Sequence, residues 1–212
     1  MVEGGLAVIA ILADVLVLGL NFHQYVWCNN KTLWQITWGL SPLIVGYFVL
    51  EALPIAALQR IDRLVREMFQ QQMSHLKLWQ LGVIAALAGI GEELFFRGLL
   101  QLGLSIVLDV WVAILISSLF FGLLHAVTRT YFLLTLLISI YLGFLFVHTG
   151  NLFVPIAIHA LYDFAVFLYI RLTPQKRTEN LLKNEIYLPQ NLPRVVESES
   201  DVSISDSEDY FP

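Results

Sequence analysis

Two adjacent glutamates and an arginine lie inside one of the most apolar stretches of the sequence. Glu92, Glu93 and Arg97 are embedded among leucine, isoleucine, phenylalanine and glycine residues. Ionised side chains in a hydrocarbon environment are costly unless they are paired or hydrated. A chain that carries three of them in such a segment is expected to use them for chemistry or for transport.

Helix geometry predicts different roles for the two glutamates. Glu93 and Arg97 are four residues apart, so they share a helix face and can form an ion pair. Glu92 projects about 100° away from Glu93 around the same helix. The pair is therefore expected to organise the site, while Glu92 remains free to act on a water molecule as a general base.

Two histidine motifs follow in later apolar segments. Phe121 precedes His125 by four residues, and His159 precedes Asp163 by four residues. At this spacing each pair lies on one face of a helix. Together with Glu92, these side chains can converge on one polar cavity inside a helix bundle.

Such a cavity supports two mechanisms. In the first, Glu92 and His125 activate a water that attacks a peptide carbonyl, and His159 with Asp163 stabilises the oxyanion. In the second, the same four residues supply the ligands of a Zn²⁺ ion that activates the water. The pattern H-E-x-x-H of soluble metalloproteases is absent. The sequence leaves both alternatives open, so the cofactor is either Zn²⁺ or none.

Composition places these motifs in a membrane protein. Of the 212 residues, 58% are hydrophobic and 14% are charged, and the mean hydropathy is +0.72. A soluble domain has about 25% charged residues. No basic surface for nucleic acid is apparent. The lipid bilayer and a peptide or protein substrate are therefore the expected partners.

The apolar segments predict an all-α, polytopic transmembrane bundle of about six spans. A span needs about 20 apolar residues. The predicted spans are residues 5–22, 33–58, 78–108, 110–127, 131–149 and 152–172. Pro42 and Pro54 are expected to kink the second span, and Gly89 with Gly91 is expected to bend the third. An amphipathic surface helix is predicted in the loop 59–76.

The positive-inside rule predicts an integral membrane protein with both termini in the cytoplasm. Basic residues flank the loop 59–77, the end of the fourth span and the end of the sixth span. Residues 1–173 form the predicted transmembrane domain, and its motif core spans residues 84–169. The acidic residues 174–212 are predicted to be a disordered cytoplasmic tail, to which a soluble partner can bind.

The three motifs together resemble the CPBP family, also called the Abi family. Its members are the CAAX-protease and bacteriocin-processing intramembrane endopeptidases. The resemblance rests on E-E-x-x-x-R at residues 92–97, F-x-x-x-H at residues 121–125 and H-x-x-x-D at residues 159–163, in this order and in separate apolar segments. No motif is specific by itself, whereas the ordered set is.

The resemblance implies a membrane-embedded endopeptidase. Glu92 matches the catalytic glutamate of the family, His125 its partner in activating water, and His159 with Asp163 the remaining polar pair. Glu93 and Arg97 match the supporting residues of the first motif, and Phe121 is expected to shape the pocket by packing. Both metalloprotease and metal-free mechanisms are implied for such members.

One position departs from the pattern of the prenyl-protein processors, which carry asparagine where this chain has Asp163. An ionised aspartate cannot donate a hydrogen bond to an oxyanion. Asp163 must therefore be protonated, bind a metal or orient His159.

Two other functions remain alternatives to the peptidase. Asp14 and Glu51 are further acids in apolar segments, and intramembrane acids and histidines also build the proton path of a transporter. The third alternative is a non-catalytic membrane assembly or immunity factor that keeps the motifs for folding.

Overall fold

The described part of the chain is entirely helical. The structure is a computed structural model, and it describes residues 2–14, 19 and 21–173. No strand occurs in these ranges. The eight α-helices described there are α1 Val2–Ala13, α2 Asn30–Ala52, α3 Ala56–Gln72, α4 Leu78–Glu93, α5 Leu102–Leu104, α6 Val110–Leu124, α7 Arg129–Thr149 and α8 Phe153–Leu172. The tail predicted for residues 174–212 lies outside the described residues.

The third predicted span is one continuous helical stretch. Between α4 and α5 the chain forms a π-helix over Leu94–Gln101, here called the π-segment. Leu94 and Leu102, at its two ends, both have right-handed helical dihedral angles. Gly89 and Gly91, where a bend is predicted, both lie within α4. The departure from α-helical hydrogen bonding begins after Glu93, at the charged motif.

The number of membrane spans is not confirmed as six. Among the described residues, α2, α7 and α8 are long and apolar enough to cross a bilayer, and α6 is a shorter apolar helix. Many apolar side chains on these helices are exposed, including Trp34 at 63% and Trp38 at 69%. Exposed apolar surface of this extent is expected when lipid is the solvent.

The predicted span 5–22 is not a single helix. Gly19 and Asn21 have positive φ angles of 61° and 56°, which lie outside the range of a right-handed helix. The buried Asp14 side chain accepts hydrogen bonds from the backbone N–H groups of Asn21 (2.8 Å) and Phe22 (3.0 Å). Residues 15–18 and 20 lie outside the described residues.

Pro54 ends the second span instead of kinking it. The preceding residue, Leu53, is extended, with φ −74° and ψ 131°. A proline clashes with a helical residue before it, which explains this conformation. The chain then enters α3, so the predicted surface helix is present, and it begins at Ala56.

Close packing of α4 against α8 brings the first and third motifs together. Gly89 faces α8, where an added Cβ would lie 2.9 Å from both the backbone nitrogen of Ala160 and the carbonyl oxygen of Ile156. Only glycine permits this approach. The adjacent turn of α4 carries Glu92 and Glu93 to the level of His159.

Candidate active site

The three motifs meet where the ends of α4 and α6 approach the middle of α8. Glu92 and Glu93 are at the end of α4, and Arg97 follows in the π-segment. His125 comes directly after the last residue of α6. His159 lies in α8. The structure thus brings together residues that are far apart in the sequence.

Glu93 is the centre of the buried part of the cluster. Its side chain is completely buried. One oxygen, Oε1, accepts a hydrogen bond from His159 Nδ1 at 2.8 Å. The other, Oε2, lies 3.0 Å from Arg97 Nε in a contact between oppositely charged groups. Glu93 therefore links the arginine of the first motif to the histidine of the third.

Arg97 is held by α7 as well as by Glu93. Its Nη2 donates to both the carbonyl oxygen (2.9 Å) and the hydroxyl (3.0 Å) of Ser139. Its guanidinium carbon lies 5.3 Å from the centre of the Phe121 ring, within cation–π range. These contacts give the buried cation favourable partners on three sides.

Glu92 is oriented differently from its neighbour. Its Oε2 atom is buried and has no hydrogen-bond partner in the protein. This atom lies 3.8 Å from His125 Nε2 and 3.9 Å from His159 Nε2. The carboxylate thus faces both histidines at distances too long for direct hydrogen bonds.

A backbone contact fixes the tautomer of His125. Its Nδ1 lies 2.8 Å from the carbonyl oxygen of Phe121, which can only accept, so Nδ1 carries the proton. In the neutral ring Nε2 is then a free acceptor facing Glu92. The Phe121 ring stacks on the imidazole with centroids 4.3 Å apart. Phe121 therefore contributes packing and a carbonyl to the site.

Asp163 lies next to His159 on α8. Its Oδ2 atom is 3.5 Å from His159 Nε2. Both ring nitrogens of His159 therefore face carboxylates, with Glu93 at Nδ1 and Asp163 at Nε2. Of the three roles that the sequence allows for Asp163, orientation of His159 agrees best with this contact.

A cavity of about 520 Å³ opens onto the cluster. Glu92, His125, His159 and Asp163 all line it. The rest of its wall comes from α2, α3, α6, α7 and α8 and is mainly apolar. Four tyrosines also line it, namely Tyr47, Tyr131, Tyr141 and Tyr162. A molecule bound in this mainly apolar cavity would therefore lie next to the polar side chains of the cluster.

Among the described residues, no group of three or more His, Cys, Asp or Glu side chains is assembled as a metal centre. The bond between His159 Nδ1 and Glu93 does not oppose a ligand role, because a metal-bound histidine usually holds its other ring nitrogen against a carboxylate. A Zn²⁺ ion would be held by Nε2 of both histidines and by Glu92, and it would supply Lewis-acid activation of the water. The steps below are those of the protein's own residues.

A family model matches the stretch that contains all three motifs. Residues 74–165 match the model described as type II CAAX prenyl endopeptidase Rce1-like. This match supports a place for the chain in the CPBP family. This family points to a CAAX-type intramembrane protease. No significant match was found among curated proteins or among solved structures.

The sequence does not predict two contacts of the motif residues, namely those of Glu93 with His159 and of Arg97 with Ser139. The motif spacing predicts the Glu93–Arg97 contact, but not the hydrogen bond between Glu93 and His159, which joins α4 to α8. Ser139, which holds Arg97, is an isolated serine in an apolar helix. No sequence signal distinguishes it from a serine that bonds only within its own helix.

The two acids outside the CPBP motifs have local partners. Asp14 binds the turn that follows α1, as described above. Glu51 Oε1 accepts hydrogen bonds from Arg66 Nη2 (3.0 Å) and from the Tyr169 hydroxyl (2.8 Å). Arg66 Nε also contacts Asp62 at 2.9 Å. These contacts favour structural roles over a proton path.

Arg66 joins α2, α3 and the end of α8 at the far side of the cavity. Besides Glu51 and Asp62, which both line the cavity, it donates from Nη1 to the carbonyl oxygen of Thr173 at 2.8 Å. Its side chain is buried. Two members of this cluster, Glu51 and Asp62, thus contribute a charged patch to the cavity wall.

Replacing Arg66 with methionine is expected to destabilise the protein by about 2–3 kcal/mol, because two acids and a carbonyl lose one buried donor. The midpoint of thermal unfolding in detergent measures the effect. Arg63→Met, at an exposed position of the same helix, is the matched control. Equal midpoints for the two variants would show that the cluster does not stabilise the fold.

Proposed function

We propose that this protein is an intramembrane endopeptidase that hydrolyses a peptide bond near the membrane with a water molecule activated by Glu92 and His125. One observation carries the proposal: the buried Oε2 atom of Glu92, without a partner in the protein, faces the Nε2 atoms of both histidines at 3.8 and 3.9 Å. The family match supports the same class of reaction.

The distances suit a water molecule shared by Glu92 and His125. A water about 2.8 Å from each atom can contact Glu92 Oε2 and His125 Nε2 at once. Both atoms are acceptors, so the water donates both of its hydrogens. Its lone pairs are then free to attack a carbonyl carbon.

The proposed reaction then needs one proton shuttle. Glu92 accepts a proton from the water as the oxygen bonds to the carbonyl carbon. His159, with both ring nitrogens protonated, donates from Nδ1 to Glu93 and from Nε2 to the developing oxyanion. As the C–N bond breaks, Glu92 returns its proton to the leaving amine. The products are a carboxylic acid and an amine.

The lining of the cavity indicates which kind of substrate the protein would bind. Its apolar wall suits an apolar segment of a membrane-associated peptide. The family description names a prenyl endopeptidase, but Asp163 stands where prenyl-protein processors carry asparagine. The requirement for a prenyl group is therefore part of the test.

Cleavage of a peptide library by the purified protein in nanodiscs tests the proposal. The library contains membrane-associated peptides with and without a prenyl group, and each reaction is run with and without a chelator. Cleavage that withstands the chelator is expected. Loss of cleavage on chelation and its recovery with Zn²⁺ would contradict the metal-free mechanism.

An absence of cleavage by the folded protein would contradict the peptidase itself. The two remaining functions would then be separated by proton flux in liposomes. A transporter shows flux that depends on pH and on Asp14 or Glu51. A non-catalytic assembly factor shows neither flux nor cleavage.

Asp163→Asn is expected to retain cleavage within about tenfold of wild type, whereas Asp163→Leu is expected to lose about 100-fold or more. An asparagine can still hydrogen-bond His159, but a leucine cannot. Initial rates on one library substrate measure both variants. Equal losses in the two variants would show that the carboxylate itself is required.

A further inference from the structure

Hydrogen bonds of three buried side chains hold the π-segment against its neighbours: Ser117 of α6, Ser139 of α7 and Gln101 of the segment itself. Ser117 donates from its hydroxyl to the carbonyl oxygen of Phe96 at 2.7 Å. Towards α7, Arg97 donates to Ser139, and Gln101 donates from Nε2 to the carbonyl oxygen of Gly143 at 3.2 Å. Ser117, Ser139 and Gln101 are all at most 2% exposed.

The two contacts with α7 form a regular pair. Arg97 and Gln101 are four residues apart, and so are their partners Ser139 and Gly143. Gly143 makes the second contact possible, because an added Cβ there would lie 2.7 Å from Gln101 Oε1. Two contacts, about one helical turn apart, thus fix the π-segment against α7.

A π-helix needs such support. Its hydrogen bonds join residues five apart, as between Leu102 N–H and the Arg97 carbonyl here. This geometry is rare and usually limited to a single turn, whereas the π-segment spans eight residues. If the segment returned to the α-helical form, its residues would rotate about the helix axis by an amount that grows with distance from Glu93. Arg97, four residues from Glu93, would stay near it, but Arg97 and Gln101 would no longer meet Ser139 and Gly143 of α7 as they do here.

A chain of contacts connects this support to the catalytic cluster. Ser139 holds Arg97, Arg97 Nε lies 3.0 Å from Glu93 Oε2, and Glu93 Oε1 accepts from His159 Nδ1. Glu92 is adjacent to Glu93 on the same turn. The orientation of the reacting groups therefore depends on how the π-segment is seated on α7.

We propose that Gln101 and Ser139 are positioning residues, which lock the π-segment against α7 and thereby orient Glu93 and His159. The proposal rests on the proposed peptidase function for its kinetic consequences. Neither residue lines the cavity or contacts a reacting atom. Gln101 lies outside the three motifs.

Kinetics of Gln101→Met test the proposal. Methionine keeps the length of the side chain, and the Gly143 carbonyl lies inside α7, so the fold is expected to survive. The expected result is a fall of about 10- to 100-fold in kcat with KM unchanged and a displaced pH profile. Ser139→Ala is expected to behave similarly, and Ser139→Thr to recover activity.

Ser105→Ala is the matched control. The Ser105 hydroxyl donates to the Leu102 carbonyl at 2.7 Å, a hydrogen bond within its own turn just past the same helical stretch. A merely structural role for Gln101 would lower the amount of active protein in Gln101→Met but leave the pH profile in place. That outcome, or unchanged kcat in the folded variant, would overturn the proposal.

A second readout does not depend on peptidase activity. In protein labelled with ¹⁵N-histidine, the Nδ1–H signal of His159 is assigned by its loss in His159→Gln. This signal is expected to shift in Gln101→Met and to stay in place in Ser105→Ala. An unmoved signal would overturn the positioning role, whereas a moved signal in a protein that cleaves nothing would overturn the peptidase function alone.

Discussion

Glu92→Gln is expected to lower kcat/KM for peptide cleavage by about 10³-fold or more while the protein remains folded. Glutamine has the shape of glutamate but cannot accept the proton of the attacking water, and general-base catalysis contributes about 10²–10⁴-fold. Because Glu92 Oε2 has no hydrogen-bond partner in the protein, no structural bond is lost. Cleavage rates and the thermal unfolding midpoint are measured on the same preparation.

Glu67→Gln is the matched control for this experiment. Glu67 is an exposed carboxylate on α3 and does not line the cavity. Its variant should cleave at the rate of the wild-type protein. Full activity of Glu92→Gln would rule out Glu92 as the base and would favour a function in which the motif serves folding alone.

Arg97→Met is expected to have the largest effect on stability. It leaves the completely buried Glu93 carboxylate without its cation, and breaking a buried ion pair in this way costs about 3–5 kcal/mol. The yield of folded protein in membranes and its unfolding midpoint in detergent measure the loss. Activity should disappear as well, because Glu93 also orients His159.

The double variant Glu93→Gln/Arg97→Met tests whether the loss of stability in Arg97→Met comes from the unpaired charge of Glu93 or from the loss of side-chain packing. It removes both ionised groups and keeps an oxygen that can accept the hydrogen bond of His159 Nδ1. Replacing both members of a buried pair is far less costly than removing one of them. The double variant should therefore be more stable than Arg97→Met. Additive losses would contradict the view that the pair is a single electrostatic unit.

Local spacing allowed much of the candidate site to be predicted from the sequence. The Glu93–Arg97 and His159–Asp163 contacts follow from residues four apart on a helix, and both pairs are close in the structure. The all-helical fold follows from the apolar composition. These features depend on interactions within one helix, which the sequence displays directly.

The remaining features depend on packing between helices. Nothing local distinguishes the π-segment from an α-helix, since its geometry relies on hydroxyl groups of α6 and α7 and on a backbone carbonyl of α7. The link from Glu93 to His159 depends on the close approach of α4 and α8 at Gly89. Of the two glycines interpreted as a bend, Gly89 serves that approach. The positive φ angles of Gly19 and Asn21, which interrupt the predicted span 5–22, likewise do not show in its apolar pattern.

The Glu93–Arg97 contact can form early in the synthesis of the protein, before the rest of the site. Both residues lie in one helical stretch, so the pair can form as soon as that stretch leaves the ribosome. His159 is synthesised 66 residues after Glu93. The carboxylate of Glu93 can therefore be matched by a cation before α8 is made. Under the proposed function, the reacting groups assemble only when α8 arrives, so a nascent or truncated chain that lacks α8 has no complete site for peptide cleavage.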